Sequence, residues 1–497
     1  MKSYEKKNEP ILQSYRLSAL NIFFKTIPLV IVPIILARLL TPEIFGMVAV
    51  SGVYVGLAQF ITTFETGESI IKKELNQSIL HSIFWFNLTC GLFLYLILFF
   101  ASEVFPFISN DTVLKTLIKV QAITLIITSL TSVPQALLRK KLDFYSLSIS
   151  SLIAGIFSSI ISISLALLGY GIWALLSFYL IQPVIYLVII LIRSKYIPKF
   201  IFKFYDIKNI FSFSINLTLT KILSYIERNI AKIFIGQYLG YAQVGLYNLS
   251  NILTVKPIKT VSQFINPVFY SLASKKKEMI KENLASNFLM YVQVCALLFY
   301  PAGIILFFFS EEIILFIFGN KWKGMIPMVS IFSFLFFIRP FTKINTEIFK
   351  TLSLTNVLLK IYIVYTTILI ALILYSVQFG LVQVAISSVI AYYFLALVST
   401  GYIVKNLKIS VAKILKNIKN IFISNCLLAI YYAIFLWIIS INPNLQKLYF
   451  QLMILVSGGF FYLCLQFALP SNAFNLFLQF IKINKINAGI KNFFKQT

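Results

Sequence analysis

The sequence predicts an all-α polytopic membrane protein. It has about fourteen transmembrane helices, arranged as two pseudo-symmetric six-helix lobes and a C-terminal helix pair. Three observations carry that expectation: composition, the side on which basic residues fall, and an internal repeat. Of 497 residues, 59% are hydrophobic and only 12% charged, against roughly 25% charged in a soluble domain. That much apolar surface cannot be hidden inside one aqueous core, so the solvent is lipid.

A spanning helix needs about 20 mostly apolar residues. The first such run, 17–39, follows the polar MKSYEKKNEP and is too long for a signal-peptide core, so it reads as an uncleaved first span. Runs at 44–64, 82–101, 113–138, 147–168 and 172–192 complete a first set of six. A second set lies at 210–235, 244–272, 285–309, 325–347, 357–376 and 381–402, and a final pair at 420–440 and 448–469. The resulting domains are 1–209, 210–403 and 404–497. With the N-terminus placed in the cytoplasm, the alternation puts the loop cations overwhelmingly on one side. That side holds Lys2, Lys6, Lys7 and Arg16, then Lys72 and Lys73, Arg139 to Lys141, and five cations from Arg193 to Lys208. It also holds Lys275 to Lys277 with Lys281, Lys350, five lysines from Lys405 to Lys419, and the lysines of the tail. The opposite side holds Arg38, Lys321, Lys323 and Lys447. This is the positive-inside pattern, with both termini cytoplasmic. It accounts for most of the net charge of +27 as a collar facing anionic lipid, and excludes nucleic acid as a partner.

The repeat begins in the loop after the first span. ILARLLTPEIFGMVAVS (35–51) and FIGQYLGYAQVGLYNLS (234–250) share Leu40 with Leu239, Gly46 with Gly245 and Ser51 with Ser250. GYGIWAL (169–175) and QFGLVQV (378–384) join corresponding spans further on, and ALLRKKLD (136–143) and EIFKTLSL (347–354) close corresponding ones. An even number of helices per repeat makes the two units enter from the same side, a parallel repeat typical of transporters with the substrate site between the halves.

Cations inside spans are costly, about 2.5–3.5 kcal/mol each at a helix centre, so their placement points to function. At 100° per residue Lys221, Arg228 and Lys232 fall within about 40° of arc, and Ser214, Thr218 and Tyr225 extend the stripe. Ser14, Ser18, Asn21 and Lys25 form a comparable stripe on the first span. Asn248, Asn251, Lys259, Ser262 and Asn266 do so on the eighth, with Lys256 at its edge. The candidate substrate-binding set is Lys25, Lys221, Arg228, Lys232, Lys256, Lys259, Asn21, Asn248, Asn251 and Tyr225. Basic groups suit a diphosphate by charge-assisted hydrogen bonds, amides and hydroxyls suit sugar hydroxyls, and tyrosines offer either a stacking face or packing. Lys115, Lys119 and Lys360 read as snorkelling side chains, and Arg339, Lys343 and Glu347 as a ladder at i, i+4, i+8. Glu227 reads as neutralising a neighbouring cation. Pro28, Pro33 and Pro257 fall where bends would suit moving helices. Cys90, Cys295, Cys426 and Cys464 show neither a disulfide framework nor metal spacing, and His81 sits alone in a short polar loop, so no metal or catalytic residue is expected.

ARLLTPEIFG after the first span, SVPQALLRKKLDF after the fourth and LGYGIWAL between the fifth and sixth resemble the polysaccharide flippases of the multidrug/oligosaccharidyl-lipid/polysaccharide exporter superfamily. The resemblance is closest to the Wzx-type, lipopolysaccharide-biosynthesis branch, which FGNKWKGMIPM (318–328) also resembles. It implies a MATE-like fold of two six-helix lobes whose opening hairpins line a central cavity. It implies export of undecaprenyl-diphosphate-linked oligosaccharide, an O-antigen, capsule or exopolysaccharide unit, across the bacterial inner membrane by alternating access. No cofactor is expected. Coupling to protons, sodium or membrane potential stays open, as do membrane lipids, a polymerase and glycosyltransferases as partners. A drug or cation antiporter of the same superfamily would need acids where this chain has bases. A membrane polysaccharide polymerase or ligase would need a large outer loop, which the layout lacks.

Overall fold

The computed structural model describes residues 31–64, 66–72, 76–104, 111–273, 280–352, 354–441 and 448–475. Asn21 and Lys25, most of the first span and much of the basic tail lie outside them. The described residues are helical. α1 (Pro42–Thr63), α2 (Thr66–Lys72), α3 (Gln77–Val104), α4 (Thr112–Lys140), α5 (Phe144–Leu167) and α6 (Ile172–Ser194) come first. α7 (Phe204–Leu239) and α8 (Tyr241–Ala273) follow, then α9 (Ile280–Phe308), α10 (Ser310–Ile317), α11 (Ile326–Ser333) and α12 (Leu335–Thr351). α13 (Thr355–Ser376), α14 (Leu381–Asn406), α15 (Val411–Ile441) and α16 (Leu448–Ala468) complete the order.

Among the described residues ten helices are long and apolar enough to cross a membrane. Eleven are, if the pair Asn320–Ser333 and Leu335–Thr351, bent by 54°, is one span. The expected count of fourteen is therefore not reached on hydropathy alone. The seventh and eighth expected spans are the long continuous helices α7 and α8, which carry the intramembrane cations and are too polar to pass that test. The tenth is broken at Phe334, which carries helical dihedrals between α11 and α12.

Local chemistry sets the helix ends. Asp111 caps α4 by accepting from the Val113 and Leu114 amides at 2.9 and 3.0 Å, while Arg139 and Lys140 sit in its last turn. Each complements the helix dipole. Asp143 caps α5 by accepting from the Ser146 amide. Gly240, at φ +89°, separates α7 from α8 in a conformation that favours glycine.

The chain forms two compact units. The first comprises Met1–Ile252, Phe318–Trp322 and Leu369–Val384. Its core packs α4 against α1, α2, α3 and α6, with α5 against α6. The inner face of α5 is small, with Ser151, Ala154, Gly155, Ser158 and Ser162 buried, which lets helices approach closely in lipid. Polar groups are matched in pairs here: the Asn87 amide donates to Thr66 and Ser132, and the Ser162 hydroxyl to the Ala174 carbonyl. The second unit comprises Leu253–Ile317, Lys323–Ile368 and Ala385–Thr497. α9 is its centre, packed by α11, α12 and α15, with α16 on α15. The Tyr291 hydroxyl donates to the Pro340 carbonyl, that of Tyr462 to Leu297, and the Asn417 amide to Leu289. Tyr432 is fully buried, edge-on to Phe309 and packed on Gly458.

Candidate functional site

The repeated hairpins meet within the first unit, and they meet through the repeat itself. A methyl group on Gly46 would lie 1.7 Å from the Tyr241 carbonyl oxygen, and one on Gly245 would lie 1.9 Å from that of Pro42. Gly46 and Gly245 are the shared glycines of the two opening stretches, and Pro42 and Tyr241 occupy equivalent positions at the same offset of 199. The contact is thus self-complementary in the manner of a two-fold interface. α1 and α8 start at this crossing, at the end opposite the basic collar. Trp322 pins the same end: it is fully buried, its indole N–H donates to the Ala37 carbonyl at 2.7 Å, and its ring stands edge-on to Phe45.

From this crossing α7 runs back toward the basic end. Lys221, Tyr225, Arg228 and Lys232 lie on that one helix, spaced so that the stripe spans roughly 16 Å of its length. Lys221 and Lys232 are half-buried and Arg228 is exposed. Arg228 donates its Nε hydrogen to the Ser224 carbonyl one turn earlier. Its two terminal amino groups have no partner among the described residues. Tyr225 lies against α1 instead. Its hydroxyl reaches the Gly52 and Val53 carbonyls at 2.9 and 3.2 Å, and its ring stands edge-on to Phe60. Gly56 makes room for it. Asn248, Asn251, Lys256 and Lys259 lie on α8, with Lys259 exposed and the other three half-buried. Asn251 donates to the Tyr247 carbonyl, and α8 stays helical across Pro257.

Elsewhere the side chains settle differently from the spacing. Arg339 lies over the Tyr392 ring at 4.6 Å, and Glu347 pairs with Lys350 at 3.0 Å. A planar guanidinium is weakly hydrated and stacks well on an aromatic face. Lys115 and Lys119 converge on Glu103, with Lys119 also over Phe99. His81 belongs to the first turns of α3, not a loop: it is buried, stacks on Tyr196, and its Nδ1 accepts from the Lys199 amide. Sequence reasoning saw the glycine identity without its contact, and it missed Trp322 as a pin. The signal was present in both cases, a tryptophan and a glycine pair inside the quoted motifs.

Spanning helices, cations along a polar helix and a repeated hairpin crossing make this a polytopic helical membrane protein. Solved structures share the fold. A lipid II flippase MurJ in an inward closed conformation superposes with a TM-score of 0.72, at 14% identity, covering 90% of this chain and 98% of that one. An inward-facing multidrug resistance transporter of the MATE family and MOP superfamily gives 0.60 at 15% identity, over 77% and 94%. The chain belongs to the polysaccharide biosynthesis protein family, whose model matches residues 35–327. It is 26% identical over 312 residues to the succinoglycan biosynthesis transport protein ExoT of Rhizobium meliloti, which is 62% of this chain and 61% of that protein. It is 25% identical over 310 residues to the lipopolysaccharide biosynthesis protein WzxC of Escherichia coli, covering 60% and 61%. The matched region thus spans about three fifths of these relatives' length.

Proposed function

We propose that the protein is a flippase, not an enzyme, that carries undecaprenyl-diphosphate-linked oligosaccharide outward across the bacterial inner membrane. The carrying observation is the position of the Lys221–Arg228–Lys232 stripe, on a helix that begins at the basic end and finishes at the glycine crossing. A diphosphate entering from the basic side meets cations along that helix, while the crossing closes the far end. Arg228, whose two terminal amino groups have no partner among the described residues, is placed to donate to phosphate oxygens. The sugars ride beside the amides of α8 and the polyprenyl tail stays in lipid. Moving two negative charges outward across 100 mV, inside negative, releases about 4–5 kcal/mol, so membrane potential alone biases the step. Family membership, the biosynthetic names of the relatives and the flippase fold support this reading, as does the basic collar for cytoplasmic termini. Glycosyltransferases and a polymerase of the same pathway are the expected neighbours.

The test is a complementation assay in a strain lacking the gene. Arg228→Ala combined with Lys221→Ala lowers surface glycan at least tenfold at unchanged membrane abundance. Normal export by the double variant removes the stripe from the mechanism.

A further inference from the structure

A half-open cavity of about 260 Å³ lies in the first unit, lined by α1, α2, α4 and α6 at the basic end of α4. That volume admits several waters or one small polar group. Its wall carries Thr128, Thr131, Gln135 and Arg139, three or four residues apart on one face of α4, and Tyr186 from α6.

Hydrogen-bond direction sets what this wall can bind. The Thr128 and Thr131 hydroxyls donate to the Thr124 and Ile127 carbonyls, both at 2.7 Å, so their oxygens face a ligand as acceptors. Gln135 donates its amide to the Tyr186 hydroxyl at 2.9 Å, leaving its carbonyl oxygen as an acceptor. Arg139 is exposed and carries the one charge among the described lining residues. A bare metal ion would sit next to a guanidinium, with no carboxylate among the described lining residues. A neutral apolar ligand would strand the acceptors. The complementary ligand has an anionic oxygen cluster at one end and hydroxyl donors at the other.

We infer that this cavity binds a phosphate-linked polyol, with the phosphate on Arg139 and the polyol hydroxyls donating to Thr128, Thr131 and Gln135. Two membrane sources present that chemistry: the phosphoglycerol head of a bilayer lipid, and the first sugar phosphate of a lipid-linked glycan. The inference does not rest on the export reading, because a bilayer lipid satisfies the same contacts in a protein that exports nothing of the kind.

The full chain in nanodiscs, titrated with phosphatidylglycerol and followed by native mass spectrometry, tests it. Phosphatidic acid serves as the probe with phosphate and no polyol, and glucose 1-phosphate as the soluble competitor. Arg139→Gln is expected to weaken phosphatidylglycerol retention at least tenfold, while Lys140→Gln on the adjacent position leaves it unchanged. Gln135→Leu is expected to erase the preference for phosphatidylglycerol over phosphatidic acid. Displacement by glucose 1-phosphate assigns the site to a sugar phosphate, and resistance to it assigns the site to the bilayer lipid. Equal retention by wild type, Arg139→Gln and Gln135→Leu overturns the inference, as does a wild type that holds phosphatidic acid as tightly as phosphatidylglycerol.

Discussion

Gly46 and Gly245 have no side chain because each faces a carbonyl of the other hairpin. The requirement is mutual, so a substitution on either side presses on the same crossing. Gly245→Ala places its methyl 1.9 Å from the Pro42 oxygen, and overpacking of this kind costs about 1–3 kcal/mol. Thermal unfolding in detergent is expected to fall accordingly, and a cysteine at Ala37 is expected to label faster with a membrane-impermeant thiol reagent. Unchanged labelling would separate the crossing from any gating role. Glu312, on α10, is a second residue whose environment makes a prediction. Burial raises its carboxyl above the ordinary glutamate range, with Glu311 adding to the effect, and its Oε2 is buried with no hydrogen-bond partner among the described residues. A raised acid means the folded state binds the proton more tightly, so the fold loses stability as pH climbs through that range. Glu312→Gln should therefore raise the unfolding temperature at neutral pH and leave it unchanged near pH 4. A neutral-pH unfolding temperature equal to that of wild type would show that the carboxylate is adequately solvated.

At the scale of elements, α7 and α8 are the unusual helices. They are long, continuous and polar enough to fail a hydropathy test that their neighbours pass. Tertiary contact holds α7 in place: Tyr225 anchors it to α1 through two backbone carbonyls and a groove left by Gly56. Tyr225→Phe keeps the ring and removes the hydroxyl, and is expected to cost about 1 kcal/mol of stability with glycan export retained. Loss of export at full abundance would instead give Tyr225 a role toward substrate. α4 shows a different device. Its threonines and serines donate to their own preceding turn, as Thr128, Ser129 and Thr131 do. That lets a hydroxyl-rich helix cross lipid without unsatisfied hydrogens, while its oxygens remain available to the cavity.

For the whole molecule, the parts that the sequence declared are those with a one-dimensional signature. The helical architecture follows from apolar runs, and the repeat from glycines that the crossing requires at both of its halves. The α7 stripe follows from helical spacing alone. What stayed hidden depends on partners far along the chain. Nothing local marks Tyr225 as bonded to Gly52, or Trp322 as bonded to Ala37. Arg339, Lys343 and Glu347 have ladder spacing, yet Arg339 meets an aromatic ring supplied by α14. The polar cavity was hidden for a related reason: each of its hydroxyls looks, in sequence, like an ordinary interruption of an apolar span.

The central claim is translocation of a lipid-linked glycan, and lipid analysis of a deletion strain beside its parent tests it most directly. Undecaprenyl-diphosphate oligosaccharide is expected to accumulate in the deletion strain, to stay inaccessible to a probe added outside, and to clear on restoring the wild-type gene but not the Lys221→Ala, Arg228→Ala double variant. A deletion strain, free of any redundant exporter, that accumulates no such lipid would contradict it.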